Sequence, residues 1–202
     1  MRLTLQPFLS PLTLGLVCLI IQGMERCLYR TLIETPVGRM VALASEKGCC
    51  ALEFNKPERM ALLTKRLSRW YKVQRIKEQK NLHLTTAQKW LNDYFKGRFG
   101  NLKTPPLNLQ GTEFEKRVWK ELLNIKPGRV MTYAQMAKRL GKPKGARAVG
   151  GASVRNPMAI IIPCHRLVGS NGSLTGYGGG IACKKWLLEH ERAGAGKRPM
   201  QN

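Results

Sequence analysis

Acidic residues are scarce in this chain. Its 202 residues include 12 Asp and Glu against 35 Lys and Arg, a formal charge of +23. Between Glu121 and Glu189 there are eleven Lys or Arg and no acidic residue, including Lys126, Arg129, Lys138, Arg139, Lys142, Lys144, Arg147, Arg155 and Arg166. Such a chain repels itself, so the charge points to a polyanionic partner, with a solvated basic face as the alternative. An anionic membrane surface fits less well, because Gly and Pro break the stretch where one long amphipathic helix would be needed.

Patterned cysteine is also lacking. Cys18, Cys27, Cys49, Cys50, Cys164 and Cys183 have no regular spacing and no C-x-x-C, which argues against a secreted disulfide framework and for a reducing compartment. Long hydrophobic runs are missing too. The longest, Phe8 to Ile21, contains Pro11 and is too short for a membrane span. It follows Arg2 and imitates a secretory leader, yet no small-x-small cleavage site follows it. We read Met24 as the natural start and residues 1–23 as a dispensable extension; a signal or anchor, or a packed terminal element, are the other readings. Internal repeats and low-complexity segments are absent. With 43% hydrophobic and 23% charged residues, the composition is globular.

The segments present suggest two halves. CLYRTLI, RMVALA and CCALEF, split by Thr35–Gly38 and Ser45–Gly48, read as a small antiparallel sheet, with Cys49 and Cys50 facing opposite sides. Pro57 opens a helix to about Trp70, and KVQRI adds a candidate strand. Ala87, Trp90, Leu91, Tyr94 and Phe95 have the spacing of a core-facing helix. A loop from Gly100 to Gly111 is the best boundary, giving an α/β domain over 24–104 and a mostly helical one over 112–192, with a tail at 193–202. The second half opens with a capping box, Thr112-Glu113-Phe114-Glu115, before a helix with an apolar face of Phe114, Val118, Trp119, Leu122 and Leu123. A second box, Thr132 to Gln135, starts a short helix through Leu140. After Gly141-Lys142-Pro143 comes a small-residue helix, Gly145 to Ser153.

Two short helices across a tight turn, inside an acid-free basic stretch, suggest a helix-turn-helix. The second helix is too bare of Asn, Gln and Ser to read bases in a major groove. It is thin enough for close approach to a narrow groove, with Arg147 free to fill a gap in a base stack. Tight helix packing with a solvated Arg147 is the plainer explanation. Ile160-Ile161-Ile162 reads as a buried strand that Pro163 stops at Cys164, beside His165 and a Gly-rich loop from Gly169 to Gly180. A thiolate there is the competent nucleophile and is favoured by nearby cations and a basic neighbour. A structural thiol is the ordinary alternative.

The residues Pro163-Cys164-His165-Arg166 occur with Tyr133, Ala146-Arg147-Ala148-Val149-Gly150, Asn156-Pro157, Gly176-Tyr177 and Lys184-x-Trp186-Leu187-Leu188-x-His190-Glu191. In that order and spacing they resemble the O6-alkylguanine-DNA alkyltransferases (methylated-DNA–protein-cysteine methyltransferases), over about Met24 to Glu191 and most strongly from Thr112. The resemblance implies a ribonuclease H-like N-terminal half and a helical DNA-binding C-terminal half. It implies that Cys164 accepts the alkyl group, that His165 takes the thiol proton through a water, and that Glu191 orients His165. It implies that Asn156 braces the pocket loop, that Tyr133 contacts the flipped guanine and its phosphate, and that Arg147 fills the vacated stack. Ala146, Ala148, Gly150, Lys144 and Arg155 join the expected DNA contacts, and Tyr177, Gly178, Leu167 and Ser153 the base pocket. The implied partner is double-stranded DNA containing O6-alkylguanine, with O4-alkylthymine as a neighbouring substrate. The protein is expected to be a monomer, cytoplasmic or with the genome, without a cofactor. His83 and three scattered cysteines are too few for the structural zinc of some relatives, so no metal is expected.

The chemistry is coherent by itself. An O6-alkyl group inside a duplex is unreachable, so the nucleotide must be extruded. Displacement at carbon then leaves a thioether with no low-energy exit, so the protein acts once. A Cys-His hydrolase, distinguished by multiple turnovers on acyl substrates, and a plain helix-turn-helix binding protein, indifferent to loss of Cys164, are the rival readings.

Overall fold

The computed structural model describes residues 27–195. Expectations for residues 1–23, and for the tail beyond 195, lie outside the described residues. β1 (Cys27–Ile33), β2 (Met40–Ser45) and β3 (Gly48–Phe54) form an antiparallel meander. The first turn closes at Gly38, which has φ +105° and donates its N–H to Thr35 O at 3.0 Å. β4 (Arg75–Lys77) lies against β1, so the sheet order is β3-β2-β1-β4. The candidate strand in KVQRI is present as β4 and pairs with β1 in parallel, beside the antiparallel meander. The reason is the connection: α1 (Pro57–Tyr71) crosses over between β3 and β4, and such a crossover returns the chain in the same direction.

β2 shows no polar alternation because both its faces are covered. Met40, Ala42 and Ala44 join a core with Leu84, Ala87, Leu91 and Tyr94 of α2 (Leu82–Phe95). Val41 and Leu43 join a second core with Leu63 and Leu67 of α1. Cys49 and Cys50 divide between the two cores as neighbouring strand residues must. Residues 102–111 connect the halves while bonded to β3: Cys49 N–H donates to Pro106 O, and Asn108 N–H to Cys49 O, both at 2.8 Å.

In the second half, α3 (Glu113–Leu122) and α4 (Tyr133–Arg139) each begin with the expected reciprocal capping box. Trp119 is buried and donates its indole N–H to Ala152 O at 2.9 Å, tying α3 to α5 (Ala146–Val154). α4 and α5 flank the Gly141 turn, where φ is +72°. β5 (Met131–Thr132) and β6 (Leu167–Val168) make a short parallel pair that the sequence did not reveal, and α6 (Ile181–Gly194) closes the chain.

One expected element is absent. Ile160 to Ile162 are buried but form a turn. Ile160 has φ +69°, unusual for a β-branched residue, and Ile162 N–H donates to Met158 O at 2.9 Å. Asn156 holds this shape: its Oδ1 accepts from Met158 N–H at 3.0 Å, and its Nδ2 donates to Ile162 O at 2.8 Å. A buried β-branched run reads the same whether it is straight or folded on itself. Among the described residues, no helix is long and apolar enough to cross a membrane.

Candidate active site

The turn delivers Cys164 to a short 3-10 segment, Cys164–Arg166, at the wall of a cavity of about 610 Å³. Tyr133, Ala146, Arg147, Gly150, Ser153, Asn156, Cys164, Tyr177 and Gly178 all line it. Nine residues expected at the site are therefore brought together. Asn156 donates from Nδ2 to Cys164 Sγ at 3.2 Å while the same group braces the turn. Arg147 is exposed near the start of α5, and the small residues of that helix leave its backbone open at the cavity rim.

His165 and Glu191 lie behind the cavity wall, both wholly buried. The Glu191 carboxylate accepts from His165 Nε2 at 2.7 Å, Arg166 Nη2 at 2.8 Å and Nε at 2.9 Å, Tyr94 Oη at 2.8 Å and Gly128 N–H at 3.0 Å. Burial pushes its pKa up, but the His165 and Arg166 partners outweigh that and hold it well below the usual carboxylate range. An ionised carboxylate only accepts, so His165 Nε2 is the donor and Nδ1 carries the lone pair. Nδ1 is buried and has no hydrogen-bond partner. Burial lowers the His165 pKa more than Glu191 raises it, with Arg166 and Lys184 pushing the same way as burial. The ring is neutral at pH 7.

Cys164 departs from expectation. Burial raises its pKa above the ordinary thiol value, and the Glu53 carboxylate adds to that; the Asn156 bond, Lys184 and Arg59 only partly offset it. The resting group is a thiol, where counting nearby cations along the sequence had favoured a thiolate. Desolvation of an anion outweighs charges that are not in direct contact.

Some of the residues expected at the DNA contact or pocket do not line the cavity. Leu167 is fully buried in the core on β6 and does not line the cavity. Lys144, just before α5, and Ala148, within it, are exposed and do not line the cavity. Arg155 is bonded to Glu115, Arg139 pairs with Glu121 at 3.0 Å, and Arg166 is consumed by Glu191 and Ile125 O. The basic stretch is thus less free than its composition implied.

The N-terminal half also builds the site. Glu53, Phe54 and Arg59 line the cavity, and Arg59 Nη2 donates to Glu53 Oε2 at 2.5 Å. A Cβ on Gly178 would meet Arg59 Nε at 3.1 Å, and one on Gly179 would meet the Phe54 ring at 2.7 Å. The loop over the cavity is therefore seated on β3 and α1. Buried Lys184 donates to Thr175 O at 2.7 Å and lies 6.0 Å from the Tyr133 ring centre, holding the loop from beneath. The signal for Glu53 was a lone carboxylate inside an apolar strand. Among the described residues, no cluster of three or more His, Cys, Asp or Glu is placed to hold a metal.

A sheet-and-helix half and a helical half with a helix-turn-helix at α4 and α5 together enclose a cavity whose wall carries a cysteine backed by a buried His-Glu pair, the layout of a thiol-dependent protein. The family described as 6-O-methylguanine DNA methyltransferase matches twice, its ribonuclease-like domain over residues 28–109 and its DNA binding domain over 113–193. A methylated-DNA–protein-cysteine methyltransferase of Methanosarcina mazei is 42% identical over 166 residues, 81% of this chain and 97% of that protein. One from Shigella flexneri is 50% identical over 101 residues, spanning 50% of this chain and 59% of the relative. The crystal structure of Mycobacterium tuberculosis OGT in complex with DNA is 34% identical, covers 82% of this chain and 94% of that one, and has a TM-score of 0.70. The Pyrococcus kodakaraensis O6-methylguanine-DNA methyltransferase structure gives 0.57 at 26% identity, over 81% and 98%. The chain belongs to the 6-O-methylguanine DNA methyltransferase family.

Proposed function

We propose that this protein repairs DNA by moving the alkyl group of an O6-alkylguanine to Cys164 in one irreversible event. The observation that carries the reading is the Cys164 thiol at the wall of a cavity with room for a nucleobase, next to a His whose free nitrogen has no partner. The duplex meets α5, Arg147 takes the vacated position in the stack, and the extruded base enters beneath the loop of Tyr177 and Gly178. Sulfur forms a bond to the alkyl carbon as the carbon–O6 bond breaks, and that electron pair leaves with guanine. Tyr133, on the cavity wall, and loop N–H groups then offset the charge developing on the base. The thiol proton moves to His165 Nδ1 through a water, and the imidazolium that forms faces Glu191. Because the resting thiol is neutral, this transfer accompanies attack. Asn156 holds Sγ in line and Glu191 fixes the His165 tautomer. The thioether has no exit, so the protein serves once, as a monomer on double-stranded DNA and in the compartment that holds the genome.

Incubation with a duplex containing O6-methylguanine, followed by intact mass and peptide mapping, tests this. One added methyl on Cys164 per lesion removed is expected. Multiple turnovers, or the label on Cys183 or Cys50, would overturn it.

A further inference from the structure

Beside the cavity lies a second groove of about 400 Å³ that the alkyl-transfer chemistry does not use. It shares Glu53, Arg59 and Val154 with the cavity and runs along α1. On that helix Arg59, Leu62, Arg66, Arg69 and Trp70 fall at i, i+3, i+7, i+10 and i+11, one stripe, flanked by the buried Leu63, which also lines the groove. Lys65 lines the groove as well.

The charge there is unbalanced. Arg59 pairs with Glu53 and Arg155 with Glu115, which accounts for both carboxylates on the groove wall. Lys65, Arg66 and Arg69 then remain, three cations with no salt bridge among the described residues. Arg66 stacks 4.6 Å from the centre of the Trp70 ring, and its Nη2 is buried without a hydrogen-bond partner. Arg59 Nε is in the same condition. Two buried guanidinium donors without acceptors, in one groove of net positive charge, is the arrangement that an anion completes.

The position identifies the anion. The first residues of α5, Ala146 and Arg147, line the cavity alone, and its last, Val154, lies where the cavity and the groove meet. Nine helical residues rise about 13 Å, the length of about four nucleotide steps measured along the duplex axis. Exposed Leu62 and Val154 offer apolar surface to sugar faces between phosphates. Resting on the DNA-repair reading above, we propose that the α1 groove binds the phosphodiester backbone of the same duplex, about four nucleotides from the extruded base. The N-terminal half is then part of the DNA footprint as well as a support for the loop.

The test is a binding titration of lesion-containing duplex over a NaCl series, for wild type and for Lys65→Gln/Arg69→Gln, with the single variants alongside. Both side chains are exposed, so the fold should persist, and a thermal melt checks it. Each lost phosphate contact lowers the slope of log K against log salt by about 0.9, so the double variant should lose up to about 1.8. Wild type should also weaken when the duplex is trimmed to about three base pairs on one side of the lesion, and the double variant should be indifferent to that trimming. An unchanged slope, or wild-type affinity insensitive to trimming on either side, overturns the groove. Methyl transfer by wild type, run beside the titration, separates the two claims. Its absence refutes the repair reading, whereas transfer with an unchanged slope refutes the groove alone.

Discussion

Replacing Glu191 by Gln keeps the size of the side chain and removes its charge, yet the fold should feel it as strongly as the chemistry. The carboxylate accepts from five donor atoms, two of them on the buried Arg166 guanidinium. An amide has one acceptor atom and turns two donors toward groups that also donate. Removing one partner of a buried pair leaves an uncompensated charge and costs about 3–5 kcal/mol. For a chain of this size each kcal/mol shifts Tm by about 2–4 °C, so the variant should melt roughly 6–20 °C lower. Its single-turnover repair rate at pH 7 should fall by about 10²-fold, the scale of acid–base assistance. The double variant Glu191→Gln/Arg166→Met separates the two effects. It removes both charges, and an apolar replacement of a buried pair is often neutral for stability, so Tm should recover while the rate stays low. The pH profile of stability supplies a third readout. Glu191 has a depressed pKa in the folded state, so its contribution is complete above about pH 4.5 and is lost as pH falls below that. His165 is also depressed, so the unfolded chain takes up a proton first and wild-type stability should already decline below about pH 6.5. A Glu191→Gln protein that melts within 2 °C of wild type and repairs at full rate would refute both the buried-pair argument and the relay.

Other perturbations test separate parts of the site. Because the resting Cys164 is a thiol with a raised pKa, iodoacetamide labelling at Cys164 should climb steeply above pH 9, and a plateau by pH 7 would show a resting thiolate instead. Wild-type stability should likewise decline above about pH 9, where the unfolded thiol ionises first. Arg147→Ala should slow repair of duplex lesions sharply while leaving reaction with the free base O6-benzylguanine near normal; equal losses on both would make Arg147 a support of the fold. Trp119→Phe leaves Ala152 O without its donor in a buried contact and should cost about 1–3 kcal/mol in a denaturant melt, with the transfer rate of the remaining folded protein unchanged.

What could be read from the sequence divides along the range of the interaction that decides each feature. Both capping boxes are settled within three residues, and the α2 core stripe within fourteen, so local spacing located them. The Ile160–Ile162 segment failed because its shape is imposed by the side chain of Asn156, which bonds Ile162 O and Met158 N–H; burial and β-branching are common to a strand and to this turn. The basic stretch was overcounted for a similar reason. Glu191, Glu115 and Glu121 lie outside the acid-free interval in sequence but beside Arg166, Arg155 and Arg139 in space. Cys164 is the sharpest case. Its neighbours in the chain are basic, which argues for a thiolate, but the groups that set its proton affinity include Glu53 and Arg59, more than a hundred residues upstream, and the low-polarity wall they help build. A buried neutral thiol is unreactive until a base and a developing leaving group act on it together. In the alkyl transfer proposed above, that would couple ionisation of Cys164 to a filled cavity and keep a side chain that reacts only once from spending itself on the wrong electrophile.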